Sequence, residues 1–279
     1  MMYRIVTCFL TGILLSGCAV GGKVQLSKAA DQIIAQFDQI KNAGQILLLE
    51  DTPYQTPAFI FDSGEQGENV MIIGGTHGDE PAGYESALRL IRLLDKNHPK
   101  NGKVIIIPLA NRLADLNFER RIPVPEGMDI ELGNLNRCYP GDPSGLPMQQ
   151  MAYQIAGLAR KHKVDVFVDL HEARYFHLNT PKKSKRKKGL GQTLIYTPNE
   201  PSSWLLMNLL DGINATIDNP DELFSGLEEP ILHSAAWWAG HELGIASFTF
   251  ETSRQMSLEK RINYHLELVR IVLEQSGIW

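Results

Sequence analysis

Hydrophobic and polar positions fall in blocks along this chain, and the blocks differ in period. Asn69-Val70-Met71-Ile72-Ile73 is a continuous apolar run that stops at Gly74-Gly75, the pattern of a strand buried on both faces. Lys103 to Pro108 and Val164 to Leu170 read the same way. Shorter strand-like runs occupy Ile46 to Leu49, Ala58 to Phe61, Thr193 to Tyr196 and Ile245 to Glu251. Between them the apolar period becomes helical. Pro81 opens one helix where its missing N–H is harmless, and Ala87, Leu88, Ile91 and Leu94 form its apolar face. Further helices are predicted over Ala29 to Ile40, Met151 to Lys161, Ser203 to Ile217 and Leu258 to Glu274, with a long polar stretch before about Met148. Strands alternating with helices predict an α/β fold, a mixed but mostly parallel central sheet with helices on both faces, in a single domain. In such a sheet ligands bind beyond the carboxyl ends of the strands.

The first residues break the pattern. Arg4 gives a weakly positive start, Ile5 to Leu15 is apolar, and Leu15-Ser16-Gly17-Cys18 closes the run. A bilayer span needs roughly 20 apolar residues, so this run fits a signal segment better than a membrane helix. Its closing tetrapeptide resembles the bacterial lipobox, in which the Cys18 thiol carries lipid; an ordinary signal peptide or an uncleaved anchor is the rival. The expected organisation is a lipoprotein signal peptide over 1–18, a tether over 19–28 and a hydrolase domain over 29–279. The mature chain then sits in the bacterial cell envelope, held to a membrane through its N-terminal lipid. Ala19 after Cys18 leans towards the outer membrane.

Composition narrows the chemistry. The chain has 279 residues, 43% hydrophobic and 21% charged, and a net charge of −5, which excludes a general nucleic-acid binder. With Cys8 removed and Cys18 acylated, Cys138 is left alone. No internal disulfide is expected and any metal site must use His and carboxylates.

Three segments supply such groups in order: Gly74-Gly75-Thr76-His77-Gly78-Asp79-Glu80, Asp169-Leu170-His171, and Phe248-Thr249-Phe250-Glu251-Thr252. Each ends a strand-like run. Two imidazoles and a carboxylate complete a catalytic zinc site that keeps one position for water, and a second carboxylate serves as base. Taken alone, His77 and Glu80 also fit a surface turn with a capping Glu, and His171 a satisfied core histidine. Glu251 is expensive to bury without a purpose. A fourth segment, Asn134-Leu135-Asn136-Arg137-Cys138-Tyr139-Pro140-Gly141, offers an amide beside a guanidinium fork suited to a carboxylate, or an ordinary turn arginine.

Together and in this order, the four segments resemble the zinc carboxypeptidase superfamily, and within it the succinylglutamate desuccinylase and aspartoacylase branch. The resemblance covers roughly residues 45 to 275. It implies one zinc ion on His77, Glu80 and His171, with Glu251 as general base and acid. It implies that Asn136 and Arg137 hold a free carboxylate of the substrate, and that Arg121, with Arg120 as rival, polarises the scissile carbonyl. Three departures put the substrate in doubt. Asn134 stands where the family usually has Asp, Ala110-Asn111-Arg112 replaces an Asn-Pro signature, and Glu172-Ala173-Arg174 follows Asp169-Leu170-His171 in neither deacylase's pattern. Arg174 becomes a further substrate candidate.

The implied activity is that of a zinc amide hydrolase acting on a small N-acyl amino acid or short peptide with a free carboxylate. A metallocarboxypeptidase trimming wall-derived or other peptides is the near alternative. A lipoprotein that binds peptide without turnover is the distant one, and such a binder has no need of Glu251. Two features stand outside this scheme. Lys182-Lys183-Ser184-Lys185-Arg186-Lys187-Lys188 suits a solvated loop or contact with an anionic surface. His233, Trp237, Trp238 and His241, at helical spacing, suit packing or the wall of a substrate pocket.

Overall fold

The computed structural model describes residue 37 and residues 39–178, 189–228 and 230–279. The signal segment with Cys18, the tether, most of the first predicted helix and the basic run 182–188 lie outside the described residues. An eight-stranded mixed sheet runs through the domain in the order β1-β2-β4-β3-β5-β8-β6-β7. Its strands are β1 Gly44–Leu48, β2 Thr56–Asp62, β3 Asn69–Ile73, β4 Lys103–Ile107, β5 Val166–Ala173, β6 Thr193–Tyr196, β7 Ser225–Leu227 and β8 Ala246–Ser253. The four central strands β4, β3, β5 and β8 are mutually parallel, while β1, β2 and β6 join antiparallel. This is the mixed single-domain sheet the alternation of elements predicts.

The continuous apolar runs follow from burial on both faces. Val70, Ile72, Val104, Ile106, Val168 and Phe248 point into one core, and Met71, Ile73, Ile105, Ile107 and Phe167 into the other. The first core is closed by α1 Pro81–Lys96, α4 Glu200–Asn214 and α6 Leu258–Gln275. The second is closed by α3 Pro147–Lys161 and the short α5 Ala235–Trp238. α2, Arg112–Asn117, lies in the stretch expected to be irregular.

Close backbone approach seats α1 on the sheet. A Cβ on Gly83 would stand 2.4 Å from the Leu170 carbonyl oxygen, so only glycine lets the helix start lie against β5. The turn before α1 is equally tight: a Cβ on Gly78 would meet the Ala114 backbone at 2.1 Å, and Gly75 has φ +70°. The segment between β3 and α1 is thereby held in one path, with His77 and Glu80 on it.

Candidate metal centre

β3 ends at Ile73 and the chain turns through Gly74–Asp79 into α1, whose first flanking residue is Glu80. The Glu80 side chain makes no capping bond to its own helix and is free to face the sheet. β5 brings up His171, and the parallel register places Glu251 of β8 directly beside it. Alternation puts Asp169, His171, Thr249 and Glu251 on one face of these strands. Groups some 170 residues apart in sequence therefore meet at the carboxyl ends of neighbouring strands.

His77, Glu80 and His171 are all buried, with one donor atom from each lying within 4.8 Å of the others. His77 Nδ1 is 3.0 Å from Glu80 Oε1, and His171 Nδ1 is 2.8 Å from Glu80 Oε2. The outer nitrogens are engaged elsewhere. His77 Nε2 lies 3.0 Å from Asn134 Oδ1, and the Asn134 amide nitrogen donates to Glu131 at 2.7 Å, which identifies that oxygen as the acceptor and Nε2 as the donor. His171 Nε2 stands 2.8 Å from Asp169 Oδ2, in contact but off the axis of a good hydrogen bond, while Asp169 Oδ1 accepts from the Thr76 hydroxyl at 2.7 Å.

This arrangement tests the fit to a metal. With the His77 proton on Nε2, its Nδ1 lone pair faces a carboxylate oxygen, an arrangement that is repulsive unless a proton or a cation lies between them. Two imidazoles and one carboxylate, with acceptors behind the rings, form a donor set for a divalent ion such as zinc. The same crowding shows in the protonation equilibria. Burial opposes charge on His171, but Asp169 and Glu80 outweigh it and hold its pKa well above the usual value. Burial depresses His77, and the two imidazoles overcome burial to hold Glu80 well below the carboxylate range.

Glu251 is 8% exposed and its Oε2 has no hydrogen-bond partner. Burial pushes its carboxyl up to about 8, with Glu80 adding and His171 opposing. The two arginines that the sequence offered for the carbonyl-polarising place have different partners. Arg121, assigned the carbonyl-polarising place, pairs with Glu131. Arg120, its neighbour and rival, donates to Glu80 Oε1 at 2.9 Å. Adjacent residues in an irregular segment point apart, and sequence spacing could not choose between them.

Arg137 is half-buried; its guanidinium donates to the Asn136 carbonyl at 2.6 Å, and burial lowers its pKa against the opposing pull of Glu131. Asn136 Oδ1 accepts from the Ala235 backbone at 3.0 Å, so part of this amide holds the start of α5. Arg174 is exposed just past β5. His241 stacks on Trp237 at 5.0 Å, His233 meets that ring edge-on, and none of the three joins a metal cluster among the described residues. Trp238 is fully buried against Tyr139 and Phe167. A group the sequence did not single out is Arg254, three residues beyond Glu251, 3.3 Å from Asp79 and 3.8 Å from Glu80. Only the loop path after β8 brings it there.

Known proteins share this construction. The profile of the succinylglutamate desuccinylase/aspartoacylase catalytic domain matches residues 66–181, which carry His77, Glu80 and His171. Over those residues the chain is similar to that family. Over 117 residues, 41% of this chain, it is 33% identical to an N-alpha-acetyl-L-2,4-diaminobutyric acid deacetylase of Halomonas elongata, and the match spans 31% of that protein. The fold is shared with the mDAP-bound form of Helicobacter pylori Csd4, a D,L-carboxypeptidase, at a TM-score of 0.63 and 20% identity, covering 76% of this chain and 52% of that one. A metallo-carboxypeptidase of Burkholderia cenocepacia aligns at a TM-score of 0.64 and 16% identity, over 89% of this chain and 68% of that one. The chain thus spans about a third of the curated relative and about half of Csd4. The proteins it resembles are deacylases and carboxypeptidase-like enzymes.

Proposed function

We propose that the protein is a zinc-dependent amide hydrolase of the cell envelope, cleaving an N-acyl amino acid or short peptide that carries a free carboxylate. The observation that carries this reading is the pair of imidazole Nδ1 atoms turned on the two oxygens of Glu80, with Nε2 backed by Asn134 and Asp169. Zinc held by His77, Glu80 and His171 supplies Lewis acidity, polarising a carbonyl and making water acidic enough to ionise near pH 7. Glu251, beside His171, takes the proton of the attacking water and hands it to the leaving nitrogen. Arg120, 2.9 Å from Glu80 Oε1, stabilises the charge that develops on the scissile carbonyl oxygen. Arg137 pairs with the substrate carboxylate, in a segment whose arginines Arg120, Arg121 and Arg137 are offset by Glu131. Envelope placement rests on Leu15-Ser16-Gly17-Cys18, with lipid on Cys18 as the membrane anchor.

The likeness to a D,L-carboxypeptidase over three quarters of the chain favours a second reading, removal of a carboxy-terminal residue from a peptide. Turnover by the full chain, with and without zinc, on N-acyl amino acids, short peptides and their carboxyl-amidated forms separates these. Zinc-dependent release from the free acids, with poor turnover of the amides, is expected. Release only from peptides supports the carboxypeptidase reading. Hydrolysis of none, or equal turnover without metal, removes the proposal.

A further inference from the structure

The strand face opposite the metal donors carries a second set of buried polar groups. Glu172 follows His171 and points to the other side of β5, beside Thr252 in the register with β8. α6 meets this row with two residues one turn apart. Arg261 donates to Glu172, and His265 Nε2 lies 3.1 Å from both the His171 carbonyl and the Thr252 hydroxyl. Arg254 Nε is 3.7 Å from Glu172 Oε2 while the same guanidinium reaches Asp79 and Glu80. The backbone N–H of Ala82, in the first turn of α1, also faces the Glu172 carboxyl. Finally, the Glu172 backbone N–H donates to Glu80 Oε2 at 3.0 Å.

Glu172 therefore links the two elements that carry Glu80 and His171, its own strand and the start of α1, and reaches Arg254 after the Glu251 strand. Its side chain is fully buried, where an apolar residue of similar size usually stabilises a fold as well or better. We propose that Glu172, gripped by Arg261 and Arg254, is a positioning residue that fixes the separation of Glu80 and His171 for metal binding. This rests on the metal reading above.

The test is cobalt(II) and zinc affinity of the full chain, measured by chelator competition, with the cobalt visible absorption as a signature of ligand geometry. Glu172→Gln keeps the size and removes the charge. It should fold, weaken both metals tenfold or more, and change the cobalt spectrum. Arg89→Met removes the ion pair with Glu259, which joins α1 to α6 away from the site. It should leave affinity and spectrum at wild-type values. If Glu172→Gln does not fold, Arg261→Gln carries the same expectation. Wild-type affinity and spectrum in the folded variant, or an equal loss in Arg89→Met, overturn the proposal and leave the metal reading standing. Failure of the wild type itself to bind metal overturns both.

Discussion

His77 and His171 each commit one ring nitrogen to an oxygen behind it and turn the other on Glu80, so the roles of neighbouring residues are set by direction as much as by type. Arg120 and Arg121 show this most clearly. Arg120 reaches Glu80 and Arg121 is tied to Glu131. Arg120→Ala should lower kcat by about 10²–10³-fold, as for loss of one oxyanion donor. Arg121→Ala should lower it far less; steady-state kinetics on one substrate compares them, and the reverse order restores the sequence-based assignment. His265 provides a pH test. Burial depresses its pKa from 6.5 to about 3, so it is neutral in the fold while the unfolded chain takes up a proton below pH 6.5. Its contribution is present above pH 6.5 and is lost as pH falls towards 3. His265→Gln removes this dependence. Its stability deficit relative to wild type should shrink by about 2 kcal/mol between pH 7 and pH 5, read from denaturant melts. A constant deficit would show that His265 is protonated in the fold.

At the scale of elements, what was legible in the sequence follows how strongly each element is buried. β3, with four of its five residues inaccessible, matches its predicted bounds of Asn69–Ile73. β5 and β8 run on past the predicted ends because His171, Glu172 and Thr252 are polar yet paired within the sheet. β7 is three residues long and only half-buried, too short for any alternation to show, and α2 starts at Arg112 without a side-chain cap. The motif residues were readable as neighbours, since each ends an apolar run that becomes a central strand. The supporting residues Asn134, Glu172 and Arg254 were not, because their partners lie on other elements and no local spacing encodes them. Contact between α1 and β5 carries its own prediction. Gly83→Ala puts a methyl against the Leu170 carbonyl and should destabilise the fold by about 1–3 kcal/mol. Because Glu80 moves with α1, zinc affinity should fall as well. A thermal melt with unchanged midpoint would mean that the helix start gives way without cost.

Across the whole molecule, the sheet separates two ends. His77, Glu80, His171 and Glu251 gather at the carboxyl ends of β3, β5 and β8. A cavity of about 610 Å³, lined by Val166, Trp204 and Ala246, lies at the opposite ends of β5 and β8 and belongs to no step of the proposed chemistry. No helix among the described residues is long and apolar enough to cross a membrane. The central claim is that one metal ion is held by His77, Glu80 and His171 while Glu251 stays free to move protons. Zinc bound per chain in the purified full-length protein tests it most directly, with the His77→Ala/His171→Ala double variant and Glu251→Gln measured alongside. The account predicts about one zinc in the wild type and in Glu251→Gln, and none in the double variant. Full zinc in the double variant, or its loss in Glu251→Gln, would contradict it.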